Sequence, residues 1–137
     1  MTADREIVVS KRLEAPRDLV FEAWTDPHHL ALWWGPKGFT TTTREMSVEP
    51  GGTWRFVMRG PDGTAYPNRI TFTRVEPSER LEYDHGPDDA TADFRVVVTF
   101  EDAGEATALT LRCVFDTVEA CEKSKAFGAA SLGRSAL

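Results

Sequence analysis

This sequence has few cysteines, few histidines and a deficit of basic charge, and each shortage excludes something. Cys113 and Cys121 are the two cysteines. Two are too few for a disulfide framework, so they read as free thiols of a reducing compartment. Neither sits in a C-x-x-C pair, so metal binding and thiol catalysis are not expected of them. There are three histidines. His28 and His29 are adjacent and cannot share a metal by i, i+4 spacing. Lys plus Arg is 16 against 22 Asp plus Glu, a formal charge of −6. That balance argues against a grip on nucleic acid by phosphate neutralisation and against an anionic membrane surface as the main partner. No run approaches the ~20 apolar residues of a membrane span. The start, MTADREIVV, has no apolar signal core. A cytoplasmic location follows as the expectation. No G-x-S-x-G elbow, P-loop or dinucleotide fingerprint is present, and no cofactor or metal is expected.

What remains is a globular composition. The 137 residues are 41% apolar, with 8 Phe, 4 Trp and 2 Tyr. There is no repeat, low-complexity tract or linker, so residues 1–137 read as a single domain.

Residues 5–13 are β-branched and alternating, and predict a strand. Pro16 is placed at the first position of a helix carrying Val20, Ala23 and Trp24 on one stripe. Asp26 and Pro27 suit the N-cap and first turn of a second, short helix with Leu30, Trp33 and Trp34 on one face. From Phe39 the period changes from 3.6 to 2. Strands are expected over about 38–48, 53–59, 65–76, 80–85, 94–100 and 109–115, separated by Gly- and Pro-containing turns. Gly60-Pro61-Asp62-Gly63 lies between two strands, so it is a hairpin and no phosphate cradle. At Asp116 the helical period returns, and Asp116 with Glu119 resembles a capping box.

The order is strand, helix, helix, six strands, helix. Each strand has one apolar face and one face of Thr, Arg and Glu. Such a sheet must bury one side, and the last helix is the element long enough to cover it. The expected fold class is α+β, a curved seven-stranded antiparallel sheet wrapped on a C-terminal helix.

The segments LEAPRDLVFEAWTDPHHLALWWGPKGFT and VEPGGTWRFVMRGPDGTAYPNRITFTRVEPSERLEYDH resemble the activator-of-heat-shock-protein-90-ATPase homologue family. That family lies within the helix-grip (SRPBCC) superfamily of StAR-related lipid-transfer domains, polyketide cyclases and the birch-pollen allergen. The resemblance runs from about Arg5 to Phe127. It implies a cavity between sheet and closing helix that suits small apolar molecules. Members usually continue with a longer final helix than GAASLGRSAL provides, so the segment after about Phe127 is expected to be short, frayed or differently packed.

The candidate site follows from parity. Trp54, Phe56, Met58, Phe72, Tyr83, Phe94 and Phe115 fall on the inward face, with Val96, Phe100 and Leu111. Solid core is the plain explanation, and a partly hollow core is the one the resemblance implies. Tyr66, Asn68, Tyr83 and His85 are its polar members. They either bond to backbone at the sheet ends or orient a ligand's polar group. Trp33 and Trp34 either pack the end of the sheet or form a lid. Glu45 is the one acid that could point inward. Asp84 and His85 are strand neighbours on opposite faces, so they are no dyad. Asp88-Asp89 is read as a solvated loop. Arg44, Arg55, Arg59, Arg69, Arg95 and Arg112 are assigned to a solvated outer face with cross-strand pairs.

The favoured reading is a domain that binds a small hydrophobic or amphipathic ligand, with no catalytic residue assigned. A cyclase, dehydratase or hydrolase using the same cavity is the first alternative. A chaperone-associated module of stress biology, suggested by the family name, is the second. An edge strand and the Arg and Thr face are compatible with a homodimer.

Overall fold

The computed structural model describes residues 5–35, 37–88 and 94–122. The elements run β1 (Glu6–Leu13), α1 (Arg17–Thr25), α2 (Pro27–Trp33), β2 (Thr40–Met46), β3 (Thr53–Arg59), β4 (Ala65–Glu76), β5 (Arg80–Pro87), β6 (Phe94–Ala103) and β7 (Ala106–Phe115). A last helix, α3, is described over 118–122. The expectation for the segment after Phe127 concerns residues outside those described.

All seven strands form one antiparallel sheet in the order β1-β7-β6-β5-β4-β3-β2. It is curved and open, with β1 and β2 as its edges. Strands β2 to β7 are a meander, each paired with its sequence neighbour. β1 closes onto β7, so the first strand meets the last, with Ile7 opposite Cys113. The helices α1 and α2 fill the crossover from β1 to β2. The fold is the α+β helix-grip fold that the element order predicts.

The turns form where the sequence has turn chemistry. Gly63 takes φ +85° in the β3–β4 hairpin, and its N–H donates to the Gly60 carbonyl at 3.0 Å. At α2 the Asp26 carboxylate accepts from the His28 N–H at 2.8 Å, and Pro27 occupies the first turn. Two helix starts differ from expectation. Pro16 lies one residue outside α1, in extended geometry with ψ 156°, and acts as the N-cap residue. At α3 the cap is Thr117 and not Asp116. The Thr117 hydroxyl accepts from the Ala120 N–H at 3.0 Å, the geometry of an N-cap bonding to N3.

Parity holds across the sheet except at two register shifts. One, between Thr43 and Glu45, pairs Glu45 with Arg55 and Met46 with Trp54. The extra residue sends Met46 inward and Glu45 outward. Glu45 is therefore exposed on the outer side, where an oxygen lies 3.6 Å from Arg55. The other shift lies between Phe72 and Arg74.

The core fills the inward face. Trp54, Phe56, Ile70, Phe72, Leu81, Val96, Val98 and Phe100 are buried together with Val20, Trp24 and Leu30 from the helices. Cys121 joins them from α3 and is 0% exposed. One polar side chain is equally sealed. Thr107 is 0% exposed, and its hydroxyl donates to the Ala15 carbonyl at 2.7 Å, 92 residues away in sequence. This bond ties the start of β7 to the turn between β1 and α1.

Thr107→Val keeps the shape and strands the Ala15 carbonyl without its donor. The expected cost is about 1–2 kcal/mol. It reads out as a lower urea midpoint at unchanged m-value. A midpoint equal to the parent's would remove the bond from the stability account.

Candidate functional site

The pleat aims alternate side chains of β3 to β7 at the covering helices, and aromatic rings dominate what arrives there. Trp54 and Phe56 stack with centroids 4.0 Å apart. Trp34, just past α2, stands edge-on to both, at 4.9 Å from Trp54 and 5.9 Å from Phe56. Trp24 and Trp33 extend the cluster into the helices. On the other side His85 lies 5.0 Å from Phe94, which lies 5.0 Å from Phe115. Edge-to-face contacts of this kind suit the quadrupoles of the rings.

Two of the indoles also need hydrogen-bond acceptors, and the fold supplies them. Trp33 Nε1 donates to the Ala23 carbonyl at 3.0 Å. Trp54 Nε1 donates to the Thr43 hydroxyl at 3.0 Å. The Thr41 hydroxyl donates to the Trp34 carbonyl at 3.1 Å and pins the turn that presents that ring. Thr41 and Thr43 were not singled out in the sequence, where a Thr-rich strand signals β propensity and nothing more.

Burial divides the twelve candidate residues into three groups. Trp54, Phe56, Phe72, Tyr83 and Phe115 are sealed core. Trp33, Trp34, Met58, Asn68, His85 and Phe94 are half-buried. Tyr66 is 46% exposed, with its ring 6.0 Å from Phe39 at the end of the sheet. The structure therefore brings Trp34, His85 and Phe94 together as a partly buried patch beside a sealed one. The wall expected from the closing helix beyond residue 122 lies outside the described residues.

The polar groups on this face are neutral. His85 sits among Trp34, Phe56 and Phe94, and burial among these rings pushes its pKa down from 6.5 to about 4. Its Nε2 lies 3.1 Å from Asn68 Oδ1. The Asn68 amide nitrogen donates to the Tyr66 carbonyl at 2.8 Å. Burial also raises Tyr83 well above the ordinary phenol value, with nearby Cys113 adding to it. Cys113 is pushed up to about 12, by burial first and Cys121 second. At neutral pH the phenol and the thiol keep their protons and the imidazole lacks one. A base this weak and a nucleophile this reluctant suit binding better than proton transfer.

The outer face is a lattice of ion pairs. Arg95 reaches Asp84 at 3.0 Å, Arg80 reaches Glu82 at 2.6 Å and Arg112 reaches Glu6 at 3.3 Å. Asp88 corrects an expectation. It is not a solvated loop residue, because both its oxygens are held by Arg55 at 2.8 and 2.7 Å. Arg55 stands directly opposite Arg69 in the β3–β4 register. Like charges so placed repel, and Asp88 and Glu45 offset that repulsion. The Asp88 carboxyl is accordingly held below the usual carboxylate range by Arg55, with Arg69 and Arg44 contributing. A groove of about 520 Å³ lies here, bordered by Arg44, Tyr66, Asn68 and Asp88 among others. Asp89 lies outside the described residues.

Among the described residues, one triad brings metal-ligand atoms within 4.8 Å of one another: Glu22, Asp26 and His29. Glu22 and His29 are exposed, and an Asp26 oxygen already caps α2. Among the described residues no helix is long and apolar enough to cross a membrane.

An open seven-stranded sheet, two short crossover helices and an aromatic inward face define a helix-grip protein. The chain belongs to the family described as Activator of Hsp90 ATPase homolog 1-like protein, whose model matches residues 14–135. Solved structures share the fold. A protein from Arthrobacter aurescens is 27% identical over 99% of this chain and 83% of that one, with a TM-score of 0.88. A protein from Nitrosomonas europaea is 21% identical over 99% and 94%, with a TM-score of 0.86. An AHSA1-like protein from Aeromonas hydrophila is 25% identical over 96% and 89%, with a TM-score of 0.79. Comparison with curated proteins gives no match.

The depressed His85 pKa makes a signed prediction. The unfolded chain takes up a proton as pH falls below 6.5, and the folded chain does so near 4. Folding stability therefore declines as pH falls through that window, by up to about 3 kcal/mol at about 1.4 kcal/mol per pH unit. The paired carboxylates Asp88 and Glu82 hold their stabilisation above their ordinary values of 3.8 and 4.5 and lose it at lower pH. Urea titrations at pH 7, 5.5 and 4.5 should show the decline, and His85→Phe should flatten it. A parent curve already flat over this range would contradict a dry His85.

Proposed function

We propose that the chain binds a small apolar or amphipathic molecule against the half-buried patch of Trp34, His85 and Phe94. One observation carries the reading: Trp34, His85 and Phe94 are only partly buried although they adjoin the sealed rings of Trp54, Phe56 and Phe115. An apolar molecule laid over these rings would remove their remaining apolar surface from water, which is favourable. The fold family supports it, because proteins of this family commonly bind hydrophobic ligands. The neutral state of Tyr83, Cys113 and His85 favours binding over the enzyme alternative. The chaperone-module and homodimer readings have no comparable support from the residues described.

The test is a calorimetric titration with a neutral apolar probe, 2-methylnaphthalene. One saturable site is expected. Phe94→Asp should weaken it about tenfold or more, because a carboxylate would then be desolvated against the probe. Leu32→Asp should leave it unchanged, since Leu32 is 86% exposed on α2. Uptake that never saturates, or that Phe94→Asp does not touch, would refute the proposal.

A further inference from the structure

We propose that the Asn68–His85 pair makes this site selective for apolar molecules carrying a hydrogen-bond donor, such as a phenolic or alcoholic hydroxyl. The inference rests on the binding reading above and adds the chemical class of the ligand.

A chain of donors and acceptors runs from the Tyr66 carbonyl through Asn68 to His85. A backbone carbonyl can only accept. The 2.8 Å contact between Asn68 and the Tyr66 carbonyl therefore fixes which end of the amide is nitrogen. The other end, Oδ1, must then face His85 Nε2, 3.1 Å away. An amide oxygen can also only accept. Nε2 must carry the ring proton for that contact to hold. A neutral imidazole has one N–H, so Nδ1 is left as a lone-pair acceptor. Asn68 thus acts as a clamp that passes the polarity of a backbone carbonyl through to the imidazole.

The surroundings decide what Nδ1 can meet. Rings of Trp34, Phe56 and Phe94 stand around the imidazole. Its register neighbours are Ile70 on one side and Phe94 on the other. Among the described residues none donates to Nδ1. At the inward positions of β3 to β6 the carboxylate is Asp102, exposed at the opposite end of β6 from Phe94 and accepting from the Gly104 N–H, so a cationic ligand would find no counter-charge beside His85. An acceptor-only ligand would oppose its lone pair to that of Nδ1. A neutral donor satisfies the nitrogen while its apolar body covers the rings.

Three probes separate this from plain burial: 2-naphthol, 2-methoxynaphthalene and 2-methylnaphthalene. The ether is more apolar than the naphthol, so hydrophobic burial alone ranks it higher. Donor recognition reverses that order. Calorimetry should give 2-naphthol about tenfold tighter binding than the ether. His85→Phe should abolish the difference while retaining the ether. A long-range proton–nitrogen spectrum of the parent protein needs no variant. It should show a protonated Nε2 and a bare Nδ1, with the Nδ1 signal moving on addition of 2-naphthol and not of the ether. Equal affinities for naphthol and ether overturn the donor preference and leave the apolar reading standing. A proton on Nδ1 in the free protein also overturns it. If none of the three probes saturates a site, both readings fall together.

Discussion

Strand parity is the constraint on which this molecule depends. A pleated strand sends successive side chains to opposite faces. Seven strands in register therefore sort the chain into an aromatic side and a charged side. The sorting survives two register shifts because each is placed where it costs nothing inward. At the Thr43–Glu45 shift, Met46 arrives beside Trp54 and Glu45 is turned out to Arg55. Had the strand run straight through, a carboxylate would face Trp54, and burying it unpaired would be expensive.

The inward face gains its chemical character from the same sorting. Because ionisable groups are few there, those present are pushed toward their neutral forms by burial. His85 loses its proton, and Tyr83 and Cys113 keep theirs. Without a carboxylate or a basic side chain beside its rings, that face has little with which to stabilise a developing charge, and that shapes the functional reading more than any motif does. The polar bonds that remain position rings. Thr41 and Thr43 hold Trp34 and Trp54, and Asn68 holds His85.

On the outer face the same alternation gathers arginines. Crowded on neighbouring strands they would repel, and Arg55 faces Arg69 directly. The carboxylates of Asp88, Glu45, Asp84 and Glu82 are distributed among them. Isolated surface pairs contribute little. The two-pronged Arg55–Asp88 contact is different, because it ties the middle of β3 to the residue that follows β5.

The sequence by itself determined the element order, the hairpins and, away from the two register shifts, the side of the sheet each residue takes. Those are local properties, written in the period of apolar residues and in turns such as Gly60 to Gly63. β3 and β4 even keep the bounds expected for them. Cap positions were less legible, since Thr117 and Asp116 are adjacent and both suit the role. What only the tertiary structure decided is non-local. The closure of β1 onto β7, the bond from Thr107 to Ala15, the grip of Arg55 on Asp88 and the division of the aromatic face into sealed and half-buried parts join residues far apart in the chain. Period and composition say which face a ring takes. How deeply it sinks depends on which helix lies over it, and that is settled by packing.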